Sequence, residues 1–167
     1  MTSINDHLDT LTTIKLLILD VDGILTDGRL HYSAQGELFK SFHVHDGLGI
    51  KLVQQIGIPV AIITARDNVI LTNRFNELGI KTVMQGQHNK LDALQEVCDT
   101  HGIDPKHAAY MGDDIQDLCI HSRVGLSITV PNATSALLQR CNVITQRSGG
   151  QGAGDGGEWP CSCGGRR

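Results

Sequence analysis

The sequence predicts an α/β fold, a doubly wound parallel sheet with a small β-hairpin inserted after its first strand. Three observations carry this. Short runs that are almost wholly apolar recur along the chain, at 16–19, 60–63 and 108–111, and such runs read as strands buried on both faces of a parallel sheet. Between them lie segments with apolar residues at helical spacing. The strands also end in acidic or hydroxyl residues, and parallel sheets place their chemistry at the carboxyl ends of strands.

Taken in order, Leu16–Asp20 is the first strand. Arg29–Ser33 and Glu37–Val44 alternate in polarity around Ala34-Gln35-Gly36 and predict the hairpin. A helix is expected over Asp46–Gln55, with Leu48, Leu52, Val53 and Ile56 at helical spacing and Gly57 beyond its end. Pro59–Thr64 is the second buried strand. Asp67 is the expected cap of a helix reaching Leu78, stopped by Gly79. Ile80–Met84 is a third strand and Asn89–Thr100 a helix with Leu91, Leu94 and Val97 inward. Ala108–Met111 is a fourth strand. Val124–Val130 and Asn142–Thr145 are further strands, with a short helix over Ala133–Leu138 between them. One domain, 1–147, is expected, followed by a Gly-rich segment, 148–167, whose composition suits a disordered tail.

Composition narrows the function. A net charge of -4 with no basic stripe argues against a nucleic-acid partner, and 4% aromatic residues leave little for base stacking. No apolar run approaches the roughly 20 residues of a membrane span. The segment Met1–Thr13 is polar, with Asp6 and Asp9, unlike a signal peptide. A cytoplasmic protein with no membrane partner is therefore expected. Cys98, Cys119 and Cys141 are scattered in core-like segments and read as reduced thiols. The single pair Cys161 and Cys163 is weak ground for a metal site.

Four strand ends carry the chemistry. The first gives Asp20 and Asp22, with Gly23 turning the chain. Two carboxylates so close repel unless a cation lies between them or one holds a proton. They suggest a magnesium site, a nucleophile with its acid/base partner, or both. The second strand end gives Thr64, with Arg66 two residues on. The third is followed by Lys90 at a helix start. The fourth gives Asp113 and Asp114, with Asp117 one turn later. Carboxylates suit a hard cation such as Mg2+; a hydroxyl and an ammonium suit phosphoryl oxygens. Each residue alone has an ordinary reading: Asp-Gly as a turn, Thr64 as a helix cap, Lys90 as a solvated helix charge, His43 and His45 as the polar face of a strand. Their joint occurrence at successive strand ends favours the chemical one.

This set resembles the haloacid dehalogenase (HAD) superfamily of phosphotransferases. The first motif stands here as Asp20-Val21-Asp22-Gly23-Ile24-Leu25-Thr26, the second as Thr64, the third as Lys90, the fourth as Gly112-Asp113-Asp114. The resemblance narrows, through DVDGILTDG from Asp20, FHVHDGLGI from Phe42, IITAR from Ile62, QGQHNKL from Gln85 and YMGDD from Tyr110, to the family of phosphatases acting on 3-deoxy-D-manno-octulosonate 8-phosphate. It runs from about Lys15 to Gly152.

That resemblance implies a Rossmann-like HAD core without a large cap domain. It implies hydrolysis of the sugar-acid phosphate to the free sugar acid (KDO) and inorganic phosphate, in lipopolysaccharide biosynthesis. Asp20 would be the nucleophile, forming an aspartyl phosphate, and Asp22 the general acid and base. Mg2+ would be held by Asp20, the backbone carbonyl of Asp22, and Asp113. Thr64 and Lys90 would bind the phosphoryl group, while Asp114 and Asp117 would stand behind them and orient Lys90 or metal waters. His43, Val44, His45, Asp46, Gly47, Lys51, Arg66 and Arg74, with Asp22 and Lys90, would meet the substrate. A homotetramer is implied, its subunits covering one another's sites partly through the hairpin.

The chain departs from the family where His45 replaces Arg or Lys, Lys51 replaces Arg, Leu48 replaces an aromatic and Ala65 replaces Gly. Gly154–Arg167 also lacks the helical character that the resemblance implies after the glycines. Alternatives are a phosphatase of a nine-carbon sialic-type 9-phosphate, a phospho-accepting receiver domain, or a regulatory homologue that binds a phosphoryl group without turnover. A receiver carries its acidic pair on adjacent residues, and a regulatory homologue usually loses Asp20 or Asp22. The spacing and presence of both favour catalysis.

Overall fold

The computed structural model describes residues 7–154. Eight strands and six helices follow one another: α1 (Leu8–Leu11), β1 (Leu16–Leu19), β2 (His31–Ser33), β3 (Gly36–Phe39), α2 (Val44–Gln55), β4 (Val60–Ile63), α3 (Val69–Glu77), β5 (Thr82–Met84), α4 (Lys90–His101), β6 (Ala108–Met111), α5 (Leu118–His121), β7 (Leu126–Thr129), α6 (Ser135–Leu138) and β8 (Val143–Ile144). Six strands form one parallel sheet in the order β5-β4-β1-β6-β7-β8. Strand β1 sits in the middle. The chain fills the sheet outward on one side through β4 and β5, then returns to β6 beside β1 and fills the other. That reversal opens the crevice at the carboxyl end of β1, where such folds bind ligands. The antiparallel pair β2-β3 stands apart, inserted between β1 and α2.

Every residue of β1, β4, β6 and β7 is buried, because both faces of the sheet are covered. Side chains alternate between two apolar cores, as the period of a strand requires. Leu17, Leu19, Val60, Ile62, Ala109 and Met111 pack with Ile50 and Val53 of α2, Leu71 and Phe75 of α3, and Leu137 of α6. Leu16, Ile18, Ala61, Ile63, Ala108 and Tyr110 pack with Ala93, Leu94 and Val97 of α4 and Ile120 of α5. Cys98 is buried, Cys119 exposed and Cys141 half-buried, all as free thiols. Among the described residues no helix is long and apolar enough to cross a membrane.

Local differences from the sequence reading have physical causes. The second hairpin strand ends at Phe39 rather than Val44, and α2 starts at Val44 rather than Asp46, because the Nδ1 of His43 accepts the amide of His45 at 3.1 Å and caps the helix. His43 is therefore a cap and not part of a strand face. Asn68, not Asp67, caps α3, its Oδ1 accepting the amide of Ile70 at 2.9 Å. The four-residue helices α1 and α5 are too short to show a period in sequence.

The expected disordered tail also changes in its first part. The amide of Gly149 donates to Oδ1 of Asn132 (3.1 Å), that of Gly150 to the carbonyl of Ile24 (3.0 Å), and that of Gly154 to Oδ1 of Asp46 (2.7 Å). Glycine is needed here for close approach: a Cβ at 149 would overlap the carbonyl of Gly23, and one at 150 the amide of Asp27. Residues 148–154 thus lie along the loop after β1 and reach the start of α2. The rest of the expected tail, including Cys161 and Cys163, lies outside the described residues, as do Met1–Asp6.

Phe75 is 1% exposed and meets Phe42 edge-on at 6.5 Å. Phe75→Ala is expected to cost about 3–5 kcal/mol of stability, read from urea denaturation. A loss under about 1 kcal/mol would mean that α3 does not close this core.

Candidate active site

Past β1 the chain makes one more ladder bond, from the amide of Asp20 to the carbonyl of Met111 at 2.9 Å, and then turns. The carbonyl of Val21 accepts the amides of Leu25 (2.8 Å) and Thr26 (3.1 Å), drawing the loop tight. Gly23 has φ +87°, and any Cβ there would run into the carboxylate of Asp113. Thr26, 2% exposed, pins the loop: its Oγ1 accepts the amides of Gly28 and Gly23 and donates to Oδ1 of Asp22 at 3.3 Å. The tips of β1, β4 and β6 and the start of α4 converge on a cavity of about 310 Å³. Asp20, Asp22, Thr64, Arg66, Lys90, Asp113 and Asp114 line it. A larger groove of about 490 Å³ along α3 and β5, at Thr72, Asn76 and Lys81, holds none of these groups.

Lys90 is the central cation. As the first residue of α4 it is 4% exposed, and its Nζ lies 3.0 Å from Oδ2 of Asp20 and 2.6 Å from Oδ1 of Asp117. Asp117, fully buried, also accepts the hydroxyl of Tyr110 on Oδ1 (2.5 Å) and the amides of Asp113 and Asp114 on Oδ2 (3.0 Å each). Four donors fill the four acceptor positions of that carboxylate. Asp117 is therefore committed to holding Lys90 and the loop after β6. Asp114 does not reach Lys90; it is exposed, and its Oδ1 caps the 3-10 turn Ile115–Asp117 through the amide of Ile115 at 2.7 Å. It acts on Asp117 by fixing that turn.

Burial raises the carboxyl of Asp20 to about 7; Lys90 pulls it down and Asp117 pushes it up. Burial, then Asp117 and Asp114, raises Asp113 to about 7 as well. Lys90 is desolvated, which lowers its pKa, yet Asp20 and Asp117 more than offset this and it stands above its ordinary value. One oxygen of each of Asp20, Asp113 and Asp117 lies within 4.8 Å of the others. Oδ1 of Asp113 is buried with no hydrogen-bond donor among the described residues. Three carboxylates thus face one ammonium. Hard oxygen donors with an uncompensated negative charge suit Mg2+, and with Asp117 saturated, Asp20 and Asp113 are the side chains free to hold it.

The structure does not bring every expected substrate residue to this cavity. His43, Val44, His45, Asp46, Gly47 and Lys51 sit on the first turns of α2. Val44 is 78% exposed, Lys51 is exposed, and the rings of His43 and His45 meet edge-on at 4.8 Å. Arg74 lies with this group, its guanidinium 5.6 Å from the ring centre of Phe42 and bonded to Glu77 at 2.9 Å. Within one chain these form a second patch. Conversely, Lys40 and Glu37 of the hairpin region escaped the sequence reading. Lys40 has a fully buried side chain and places Nζ 2.5 Å from Oδ1 of Asp22 and 2.9 Å from Oε1 of Glu37. A lysine near the end of a polar-alternating strand signals nothing by itself. Tyr110 was missed because it reads as one more core residue of β6.

A doubly wound core with this carboxylate and lysine centre defines a haloacid dehalogenase-like hydrolase, and residues 76–153 match the model of that family. Over 149 residues the chain is 42% identical to the 3-deoxy-D-manno-octulosonate 8-phosphate phosphatase of Yersinia pestis, covering 89% of this chain and 80% of that one. The Moraxella catarrhalis phosphatase of the same name, solved with a magnesium ion, a phosphate ion and KDO, superposes with a TM-score of 0.87 at 41% identity, over 91% of this chain and 87% of that one. The cobalt-bound Haemophilus influenzae phosphatase superposes with a TM-score of 0.85 at 41% identity, over 87% and 85%. The chain belongs to the 3-deoxy-D-manno-octulosonate 8-phosphate phosphatase family.

The raised carboxyls make metal and proton compete. Between about 4 and about 7, the folded state of the metal-free protein keeps protons on Asp20 and Asp113 that the unfolded state has released. Stability from these groups is therefore present at low pH and lost as pH rises through about 7. Mg2+ is expected to raise Tm little at pH 5 and clearly at pH 8, as measured by thermal melts with metal and with chelator. An equal shift at both pH values would contradict the assignment.

Proposed function

We propose that this chain is a Mg2+-dependent phosphatase that hydrolyses 3-deoxy-D-manno-octulosonate 8-phosphate to KDO and inorganic phosphate. The observation that carries the chemistry is the meeting of Asp20, Asp22, Thr64, Lys90 and Asp113 around one cavity. The substrate follows from the named relatives, one of them solved with KDO and phosphate.

In this reading the carboxylate of Asp20 attacks phosphorus, and the bond to the sugar oxygen breaks as Asp22 delivers a proton to it. Oδ1 of Asp22 is engaged by Lys40 and Thr26, so the proton is carried on Oδ2, which lies 3.8 Å from Nε of Arg66. Asp22, now ionised, takes a proton from water; the resulting nucleophile attacks the aspartyl phosphate and returns Asp20 as a carboxylate. One difficult displacement becomes two easier ones. Lys90, held by Asp117, and Thr64, buried at the end of β4, bind phosphoryl oxygens. Mg2+, held by Asp20, Asp113 and the backbone carbonyl of Asp22, would neutralise charge so that carboxylate and phosphate can meet.

The reading includes a cytoplasmic location and a homotetramer. Leu30, Tyr32, Leu38 and Phe39 of the hairpin, and Val44 and Leu48 of α2, are large apolar side chains exposed on one chain. A second copy seated there would cover them and bring another chain to the substrate patch on α2. Light scattering is expected to give the mass of four chains; a monomer at working concentration would overturn this part.

Asp20→Asn is expected to abolish turnover with the fold intact. Asp22→Ala is expected to slow it about a hundredfold or more, the scale of general acid-base catalysis. Phosphate release from a panel of sugar-acid phosphates, with magnesium and with chelator, checks both. Wild-type rates in Asp20→Asn would remove the nucleophile assignment, and equal rates on all phosphomonoesters would remove the substrate.

A further inference from the structure

The hairpin does more than offer an outer surface, because one residue just beyond it reaches the reacting groups. Lys40 follows β3, and its side chain is wholly buried. Burying an ammonium is costly unless its charge and its hydrogen bonds are met. Here Nζ meets Oδ1 of Asp22 at 2.5 Å and Oε1 of Glu37 at 2.9 Å. Oε2 of Glu37 in turn accepts Nδ2 of Asn68 at 2.9 Å, and Asn68 caps α3. Asp22 is thus tied through Lys40 and Glu37 to the start of α3, across a chain of charged and polar contacts. Both hydrogen bonds to Asp22, from Lys40 and from Thr26, fall on Oδ1, while Oδ2 has only the longer ion pair to Nε of Arg66 at 3.8 Å among the described residues. Oδ2 accepts no hydrogen bond among the described residues. A carboxylate gripped by one oxygen is held in place, while the other, buried here, keeps its lone pairs free of any hydrogen-bond donor among the described residues.

We propose that Lys40 is a positioning residue for the phosphatase reaction, holding Oδ1 of Asp22, with Glu37 behind it, so that Oδ2 transfers the proton to the leaving oxygen and later takes one from water. This rests on the assignment of Asp22 as acid and base. Lys40 touches neither substrate nor phosphorus in this account. Its whole effect passes through Asp22, which gives it a signature that a role in folding the hairpin lacks.

The test is a double-mutant cycle on the full chain with magnesium, following phosphate release in single turnover. Lys40→Met is expected to lower the rate at least tenfold in the wild-type background. In the Asp22→Asn background it is expected to change the residual rate less than twofold, since the group it positions no longer transfers protons. With 4-nitrophenyl phosphate, whose leaving group needs little protonation, Lys40→Met is expected to release nitrophenol in a burst and then stall on the aspartyl phosphate. An equal loss in both backgrounds, or loss of the burst, would overturn the proposal and leave Lys40 a structural residue. If Lys40→Met melts early, the paired change Lys40→Met with Glu37→Gln removes both charges and serves in the same cycle. Wild-type rates in Asp22→Asn alone would instead strike the reading of Asp22, a separate result.

Discussion

The arrangement depends on one buried ammonium. Lys90 stands between Asp20 and Asp117, all three nearly closed to solvent. Without it the carboxylates of β1 and of the loop after β6 could not share the centre of the sheet ionised. Even with it, burial, and after it the charge of Asp117, lifts Asp20 and Asp113 both to about 7. The polypeptide therefore builds a site that is complete in geometry and short of one cation. Removing Lys90 would leave the buried acids Asp20 and Asp117 facing one another with no cation between them.

The supports around this centre are layered from ordinary structural parts. Tyr110 is a core residue of β6, yet its hydroxyl fixes Asp117, and burial and the nearby carboxylates keep it protonated well above its usual pKa. Behind it, burial pushes His121 down to about 4, so the imidazole that meets Tyr110 edge-on at 5.3 Å stays neutral. Thr26 ties the loop after β1 through three bonds from one hydroxyl. The segment 148–154 closes over the same loop with backbone amides, which only glycine allows at that distance.

The core and the centre were legible in the sequence because each depends on short-range signals. Unbroken apolar runs mark β1, β4 and β6, and Asp20, Asp22, Thr64, Lys90 and Asp113 stand at or just after strand ends where the topology gathers them. The parts that were not legible depend on contacts distant in sequence. Lys40 reaches Asp22 across 18 residues and Glu37 reaches Asn68 across 31, and neither spacing follows a helical or strand period. The start of α2 was misplaced because a histidine served as its cap. The glycines after 148 read as disorder, since composition alone cannot show which amides find a carbonyl. The patch of His43, His45 and Lys51 on α2 stands apart from the cavity within one chain.

In the proposed reaction Asp20, held by Lys90, becomes covalently phosphorylated. The most direct measurement is an acid quench early in a single turnover with radiolabelled 3-deoxy-D-manno-octulosonate 8-phosphate, followed by peptide mapping. Label is expected on the peptide carrying Asp20, lost on standing at neutral pH and absent in Asp20→Asn. Phosphate released at full rate with no label on the protein at any time would contradict it and point to direct attack by water.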